Sequence, residues 1–298
     1  MNKNILITGG FGQDGKILTD LFYKKRIRLN IISKNKKFKK KKYINYFYSN
    51  LLNKKKIKKI FFKIKPDVVL HLASNNPSFN QKNYSLFYKK NVIATKNIFY
   101  LTYESNPKAK FIFCSSSQVF AKKKGVVDEN SKTRVNTDYN KFRIEIDKIM
   151  QKYKKKKNLH YINTILFNHD SIYRNKKFLI PRIIKAVKNK KINFINKIIK
   201  ENISGDFSHA NDICDGLFKL IFSKVNKDKI ILSSNKITNV NDIIYYLIKK
   251  NNIKINLKTI RNRKKKGLRG NNGLAKKILN WSPKKNIFIA AQEIFNYN

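Results

Sequence analysis

A glycine-rich segment near the start of the chain limits the possible folds more than any other feature. It reads Thr8-Gly9-Gly10-Phe11-Gly12-Gln13-Asp14-Gly15, directly after an apolar run predicted as a strand and at the start of a predicted helix. In this context Gly9 permits a tight turn, Gly12 lets the backbone approach a pyrophosphate, and Gly15 lets helix and strand pack closely. The segment therefore predicts a phosphate-binding turn between a strand and a helix.

Short apolar runs alternate with longer helical patterns through the first half of the chain, which is typical of a parallel sheet with crossover helices. Strands are predicted at Asn4 to Thr8, Leu29 to Ser33, Tyr43 to Tyr48, Val68 to Leu72, Phe111 to Ser115, Tyr161 to Leu166 and Lys229 to Leu232. We predict an α/β fold with a Rossmann-like doubly wound parallel sheet in residues 1–166. A smaller C-terminal substrate lobe is predicted in residues 167–298, of which about 205–235 returns to the sheet.

The formal net charge of +51 is the most unusual feature of the composition. Lys and Arg neutralise phosphates, so the charge is compatible with a nucleic-acid partner. However, lysines occur in nearly every segment alongside abundant Asn and Ile, a pattern that indicates compositional bias at permissive surface positions. We predict no nucleic-acid partner, and the sequence leaves open whether the charge serves another one.

Cysteine usage and hydropathy bear on location. Cys114 and Cys214 lie in no ligand pattern, so we predict neither a disulfide framework nor a metal site. No apolar run approaches the roughly 18 residues of a membrane helix, and the first residues lack a signal-peptide layout. The expectation is a cytoplasmic protein without a membrane partner.

The end of the second predicted strand bears on the choice of dinucleotide. Enzymes that use NAD usually place an Asp or Glu there for the adenosine ribose, whereas this chain has Ser33-Lys34-Asn35-Lys36. The absent carboxylate and the nearby cations favour a 2′-phosphate. We therefore predict NADP rather than NAD.

A second group of polar residues follows the strand that ends at Ser115. Ser116 and Gln118 come directly after it, and Tyr139 and Arg143 share one face of a predicted helix. A hydroxyl donor, a phenol and a cation beside a nicotinamide would support hydride chemistry, because the cation favours the phenolate that takes a proton from an alcohol. The Tyr and Arg spacing alone is also common as surface decoration.

Four further motifs follow the glycine segment along nearly the whole chain: Leu72-Ala73-Ser74-Asn75-Asn76, Ile165-Leu166-Phe167-Asn168-His169-Asp170-Ser171, Gly205-Asp206-Phe207-Ser208-His209-Ala210 and Leu279-Asn280-Trp281-Ser282-Pro283. In type and order, the five motifs resemble those of GDP-mannose 4,6-dehydratases of the extended short-chain dehydrogenase/reductase (NAD-dependent epimerase/dehydratase) group. The resemblance implies a lyase for a nucleotide sugar, with a GDP-hexose as substrate, and a homo-oligomeric assembly, a dimer or a tetramer.

The implied reaction is an internal redox cycle in which hydride passes from sugar C4 to NADP, a base removes the C5 proton, water leaves from C6, and hydride returns to C6. By resemblance, Ser116 bonds the C4 oxygen, Tyr139 deprotonates it, and Arg143 and Gln118 occupy the other catalytic positions. Cofactor contacts fall on Gly9, Gly10, Phe11, Gly12, Gln13, Asp14, Gly15, Ser33, Lys34, Asn50, Leu51, Leu72, Ala73, Ser74, Asn75, Asn76, Arg143, His169 and Arg174. Substrate contacts fall on Asn168, Arg182 and Arg261.

Four departures from the family pattern affect the implied reaction. Gln118 replaces the Glu expected to act as acid and base at C5, and an amide cannot take that proton; such groups contribute about 10²- to 10⁴-fold in rate. Arg143 replaces the Lys of the family's Tyr-x-x-x-Lys motif, and a planar guanidinium is not equivalent to an ammonium. Gly205 replaces an Arg of the family, and Asn50 replaces the Asp that the family places at the adenine. Two alternatives to a dehydratase therefore stay open: a nucleotide-sugar 4-reductase or 4-epimerase, and a non-catalytic nucleotide-sugar-binding relative.

Overall fold

Hydrophobic strands alternate with amphipathic helices, and together they form a central sheet flanked by helices. The computed structural model describes residues 3–35, 39–74, 84–257 and 266–297. The strands in this part of the chain are β1 (Ile5–Thr8), β2 (Leu29–Ser33), β3 (Ile44–Tyr48), β4 (Val68–His71), β5 (Lys110–Ser116), β6 (Gly125–Val127), β7 (His160–Leu166), β8 (Asn168–Asp170), β9 (Ser204–Gly205), β10 (Phe207–His209), β11 (Lys229–Leu232), β12 (Thr238–Asn239) and β13 (Leu268–Gly270). The helices are α1 (Gln13–Lys24), α2 (Lys54–Ile64), α3 (Tyr84–Ser105), α4 (Asp138–Lys157), α5 (Leu179–Lys188), α6 (Ile192–Glu201), α7 (Ala210–Phe222), α8 (Val240–Lys250), α9 (Gly273–Leu279) and α10 (Ile287–Tyr297), with a 3₁₀ turn at Ser117–Val119.

The order of the strands in the sheet reveals where a ligand site belongs. The seven-stranded parallel sheet has the order β11-β7-β5-β4-β1-β2-β3. From β1 the chain proceeds to β2 and β3 on one side and then returns to β4 on the other, and the pairs β1 with β2 and β1 with β4 are both parallel. Open α/β sheets bind ligands beyond the carboxyl ends of their strands at such a switch point. The doubly wound fold predicted from the sequence is confirmed.

Burial of apolar side chains on both faces holds this sheet. Ile5, Leu6 and Ile7 of β1 are fully buried, as a central parallel strand requires. Helix α2 buries Ile57 and Phe61 against the core and turns its lysines outward, and each such apolar side chain contributes about 1.5–3 kcal/mol when fully buried. The spacing of apolar residues thus orients the helix.

His71, at the end of β4, is a core residue. Its Nδ1 and Nε2 lie 2.7 Å and 3.0 Å from the hydroxyls of Thr8 and Thr95. Burial, with a smaller contribution from Arg143, lowers the pKa of His71 to about 3. The imidazole is therefore neutral and structural.

The chain forms two compact units, the first made of Met1–Val119, Thr133–Ile165 and Leu217–Ile230, the second of Phe120–Lys132, Leu166–Gly216 and Ile231–Asn298. Residues 120–132, which lie inside the first predicted domain, thus join the second unit through the pairing of β6 with β13. Helices α5, α8 and α10 build the core of the second unit. Trp281 is buried there and donates through Nε1 to the Asp212 carbonyl at 2.9 Å.

Candidate functional site

A cleft of about 480 Å³ opens in the first unit at the carboxyl ends of β1, β2, β3 and β4. This volume falls within the range typical of small-molecule sites. Its lining residues are Gly9, Phe11, Gly12, Ile32, Ser33, Lys34, Asn35, Ser49, Asn50, Leu51, Leu52, Leu72, Ala73, Ser74, Lys90, Asn91 and Ala94. We call this space the cleft, and it lies at the switch point of the sheet.

The glycine turn forms the floor of the cleft. Gly9 has φ +80, a left-handed conformation that disfavours any side chain, and the amide of Gly12 donates to its carbonyl at 3.0 Å. Helix α1 begins at Gln13 with Gly12 at its N-cap position and no side-chain cap. The positive end of the α1 dipole therefore lies at the cleft, where anions bind favourably.

The space around Gly15 and Gly12 shows which glycine is needed for packing within the protein and which leaves room for a ligand. A Cβ on Gly15 would lie 2.4 Å from the Cα of Gly10 and 2.5 Å from the carbonyl oxygen of Gly9, so close packing of helix and turn excludes it. Among the described residues, a Cβ on Gly12 would meet only the Gly9 carbonyl oxygen, at 3.4 Å. The protein itself therefore tolerates a side chain at Gly12, and the open space there fits a phosphate group.

Polar and basic side chains of the described residues line the wall formed by β2 and β3. Ser33, Lys34 and Asn35 line it, and the Asn35 amide donates to Ser33 Oγ at 3.0 Å. Asn50 turns inward on the local backbone, because its Oδ1 accepts from the Leu52 amide at 3.1 Å. No carboxylate lines the cleft in the part of the chain that the structure describes, which fits a phosphate better than a bare ribose hydroxyl.

The end of β5 and the start of α4 meet in the first unit. Ser116 Oγ accepts from the Gln118 amide at 3.3 Å, and the Gln118 carbonyl accepts from Asn140 Nδ2 at 3.2 Å. Asn140 is buried and also completes a capping box with Thr137 at the start of α4. Ser116 and Gln118 are thereby tied to the helix that carries Tyr139, while the Gln118 side chain is exposed.

Arg143 is buried beside Tyr139. Its guanidinium carbon lies 3.8 Å from the centre of the Tyr139 ring, and its terminal nitrogens donate to the Tyr139 carbonyl at 3.3 Å and to Ser74 Oγ at 3.4 Å. Burial lowers the pKa of Arg143, and the neighbouring Tyr139 and Cys114 raise it. Arg143 Nε is buried without a hydrogen-bond partner in the described structure. Because Ser74 lines the cleft, this contact joins the Tyr139 group to it.

The cleft lining does not include the predicted contacts Gly10, Gln13, Asp14 and Gly15, which belong to the glycine turn and the start of α1 in the first unit. The other predicted contacts lie in the second unit or outside the described residues. His169 is buried on β8, its Nδ1 2.6 Å from the Phe167 carbonyl oxygen, and Arg174 pairs with Asp170 at 3.4 Å. Asn168 is exposed on β8, and Arg182 is exposed on α5 with its guanidinium 5.4 Å from the Phe194 ring centre. Asn75, Asn76 and Arg261 lie outside the residues that the structure describes.

Asp206 is a buried carboxylate that ties its own segment to two others in the second unit. It accepts from the Ser234 amide and hydroxyl, from the Asn235 amide and from the Gly270 amide at 2.5–3.2 Å. Burial raises the pKa of Asp206, and these hydrogen bonds offset part of that rise. The resulting pKa is about 6. The neighbouring His209 pairs with Glu293 at 3.0 Å.

We expect Asp206→Asn to lower the free energy of unfolding by about 2–4 kcal/mol, because an amide NH₂ would face backbone N–H donors. Folding raises the pKa of Asp206, so the carboxyl's contribution to stability is largest at low pH and falls as pH rises through about 6. The difference in free energy of unfolding between Asp206→Asn and the wild type, measured by urea titration, should therefore become smaller from pH 4 to pH 7. Glu201→Gln, at the exposed end of α6, is the matched control. A variant as stable as the control would contradict this role.

Sequence reasoning missed several residues that the fold brings to the site. Ile32, Asn35, Ser49, Leu52, Lys90, Asn91 and Ala94 also line the cleft. Asn140 was missed although Thr137-x-x-Asn140 has the spacing of a capping box, a signal that was available. Lys90 gave no such signal, because only the packing of α3 places it at the cleft.

No cluster of ligating side chains that would hold a metal ion occurs among the described residues. In the same residues, no helix has the length and hydropathy needed to cross a membrane.

The strand order and the position of the cleft define a doubly wound α/β protein of the Rossmann type. A family model described as GDP-mannose 4,6 dehydratase matches residues 6–293, and the chain belongs to that family of nucleotide-sugar epimerases and dehydratases.

Individual relatives are distant. GDP-mannose 4,6 dehydratase 1 of Arabidopsis thaliana is 25% identical over 139 residues, which cover 44% of this chain and 38% of the relative. The match thus spans well under half of that protein's length. UDP-glucuronic acid 4-epimerase from Bacillus cereus, solved in complex with NAD, superposes with a TM-score of 0.81 at 19% identity over 98% of this chain and 97% of that one. RMD from Pseudomonas aeruginosa, complexed with NADPH, superposes with a TM-score of 0.79 at 15% identity over 100% of this chain and 97% of that one. These likenesses establish the fold.

Proposed function

We propose that the chain binds NADP in the cleft and catalyses oxidation or reduction at C4 of a nucleotide sugar. The observation that carries the proposal is the space above Gly12, where the fold leaves room for a side chain but the sequence has none. Family membership supports a nucleotide sugar as substrate, and structural neighbours bind NAD or NADPH. NADP, when bound, would supply the acceptor or the donor of the hydride.

The residues around Tyr139 have the types that this chemistry needs. The Ser116 hydroxyl would hold the sugar C4 oxygen, and the Tyr139 phenol would take the proton from it or return it. Arg143, buried against the Tyr139 ring, places a positive charge beside the phenol. Asn140 positions the loop that carries Ser116 and Gln118.

In the second unit, we propose that Asn168 and Arg182 bind the substrate. We propose further that His169 and Arg174 contribute to the cofactor site. A homo-oligomer, dimer or tetramer, is also a proposal, which light scattering of the purified protein tests.

Gln118 decides among the possible reactions. Loss of water between C5 and C6 requires a group that removes the C5 proton, and the exposed amide of Gln118 cannot do so. A 4-reductase or a 4-epimerase needs only the hydroxyl and the phenol. The geometry therefore supports C4 redox chemistry without dehydration best.

GDP-mannose 4,6-dehydration is the second candidate, because the family model matches residues 6–293. Incubation of the protein with NADP and GDP-mannose, followed by mass spectrometry, tests it directly. A product lighter by one water would establish the dehydratase. Consumption of NADPH with a 4-keto nucleotide sugar would establish the reductase, and interconversion of C4 epimers the epimerase. Absence of every product despite stoichiometric binding would contradict a catalytic role.

The variant Gln118→Glu, alone and combined with Arg143→Lys, separates these cases further. If the wild type performs C4 redox chemistry, Gln118→Glu should add slow water loss, because the carboxylate supplies the missing base. Activity that appears only in the double variant would instead favour a relative that binds nucleotide sugars without converting them.

Preference for NADP over NAD is expected from Lys34. We expect the wild type to bind NADP at least about tenfold more tightly than NAD, and Lys34→Gln to reduce that ratio, because a charge-assisted hydrogen bond to the 2′-phosphate is lost. Calorimetric titration with both dinucleotides measures the ratio. Equal affinities in the wild type would contradict the assignment.

A further inference from the structure

Two lysines on different walls of the cleft are its only charged lining residues among those that the structure describes. Lys34 follows β2, and Lys90 lies on α3, which follows β4 in the chain. Both are exposed, and neither forms an ion pair within the described part of the chain. The cleft therefore presents positive charge from both sides of the sheet's switch point.

The backbone at Lys90 is held firmly by α3. Asn91 and Val92, the next two residues, are buried. One turn further on, Thr95 Oγ1 lies 3.0 Å from His71 Nε2, and Asn97 Nδ2 donates to the Leu51 carbonyl at 3.1 Å. These contacts fix α3 to β4 and to the loop after β3. Lys90 thus projects from a fixed position on the cleft wall.

The cleft can receive two separate anionic groups. The N-terminus of α1 at Gly12 suits a pyrophosphate, whereas Lys34 and Lys90 lie at the walls. Two like charges at one cleft favour an occupant that carries a compact dianion, and a phosphate monoester on the adenosine ribose is such a group. Lys90 has no counterpart among the residues that the motifs indicated.

We propose that Lys90 is a specificity-determining residue that forms, together with Lys34, a two-lysine clamp for the 2′-phosphate of NADP. The inference rests on the proposed function, because it concerns the cofactor assigned to the cleft. The clamp is selective, since NAD lacks the phosphate monoester and gains nothing from the second lysine.

Calorimetric titrations of NADP and NAD at one ionic strength test the clamp, using the wild type, Lys34→Gln, Lys90→Gln and the double variant. Lys89→Gln, on the same helix but outside the cleft lining, is the matched control. We expect Lys90→Gln to lower the affinity for NADP about three- to tenfold and to change the affinity for NAD less than about twofold. The control variant should bind both dinucleotides as the wild type does. Adenosine 2′,5′-bisphosphate and AMP repeat the comparison without the nicotinamide.

Each other outcome has a distinct meaning. Equal losses for NADP and NAD in Lys90→Gln would overturn the clamp and assign Lys90 to a part that both dinucleotides share. An unchanged NADP affinity would also overturn it, with the proposed function intact. If the wild type binds neither dinucleotide, the proposed function itself fails, and the clamp with it.

Discussion

Replacement of Tyr139 by Phe is expected to lower the turnover rate by about 10²- to 10⁴-fold, the usual contribution of a positioned acid and base. The ring would still stack on the Arg143 guanidinium, now 3.8 Å from its centre, so the packing of α4 should survive. Only the hydroxyl that we propose to exchange a proton with the sugar C4 oxygen is lost. Steady-state rates, with NADP affinity and thermal stability measured in parallel, check this.

Tyr153→Phe is the matched control for this variant. Tyr153 lies on the same helix but at its far end, where its ring packs against Tyr100 at 5.2 Å. Its hydroxyl is remote in sequence from the Ser116 and Ser74 contacts, so activity should remain near that of the wild type. If Tyr139→Phe retained more than about a tenth of the activity, Tyr139 would not be the proton-transfer group.

The second large effect is expected from a methyl group added to the glycine turn at two positions. Gly15→Ala would place Cβ 2.4 Å from the Cα of Gly10, a backbone atom that cannot move without shifting β1 or α1. Such overpacking costs about 1–3 kcal/mol and occasionally more, and backbone contacts put this case at the upper end. We expect a lower melting temperature or a failure to fold.

Gly12→Ala should behave in the opposite way. Gly12 has φ −70 and ψ 173, which any residue adopts, and its Cβ would have only an ordinary contact at 3.4 Å. The variant should therefore melt within about 2 °C of the wild type, since surface changes alter stability little. Its affinity for NADP should fall by about tenfold or more, because the methyl group occupies the space proposed for the phosphates. If a folded Gly12→Ala variant bound NADP as tightly as the wild type, the phosphates would not lie over Gly12 as proposed.

The sequence contained most of the information on the sheet and on the floor of the cleft. Alternating apolar runs marked the strands that pair in parallel, and the glycine segment marked the turn after β1. Both depend on local chemistry, since a buried parallel strand is apolar on both faces and a left-handed turn favours glycine. The positions of Gly9 and Gly15 in the structure follow that reasoning.

Features that depend on contacts between distant segments did not show in the sequence. Lys90 lines the cleft because α3 is tied to the loop after β3 through Asn97 and Leu51, residues that are 46 positions apart. Likewise, residues 120–132 join the second unit through a strand pair with residues beyond 266. No local pattern reports such pairings, because the partner strands have only three residues each.

Arg143, which stands where the family has Lys, has contacts that the motif alone did not predict. Its spacing from Tyr139 predicted a shared helix face, but not that the guanidinium would stack on the ring and reach Ser74. An arginine is longer and planar, so it contacts groups that a lysine ammonium would not reach in the same geometry.

A crystal structure of the protein grown with NADP would locate the dinucleotide. We expect the pyrophosphate over Gly12 at the start of α1, the 2′-phosphate near Lys34, and the nicotinamide beside Tyr139. A crystal that shows no dinucleotide at millimolar NADP, or that holds it away from the glycine turn, would contradict NADP binding in the cleft.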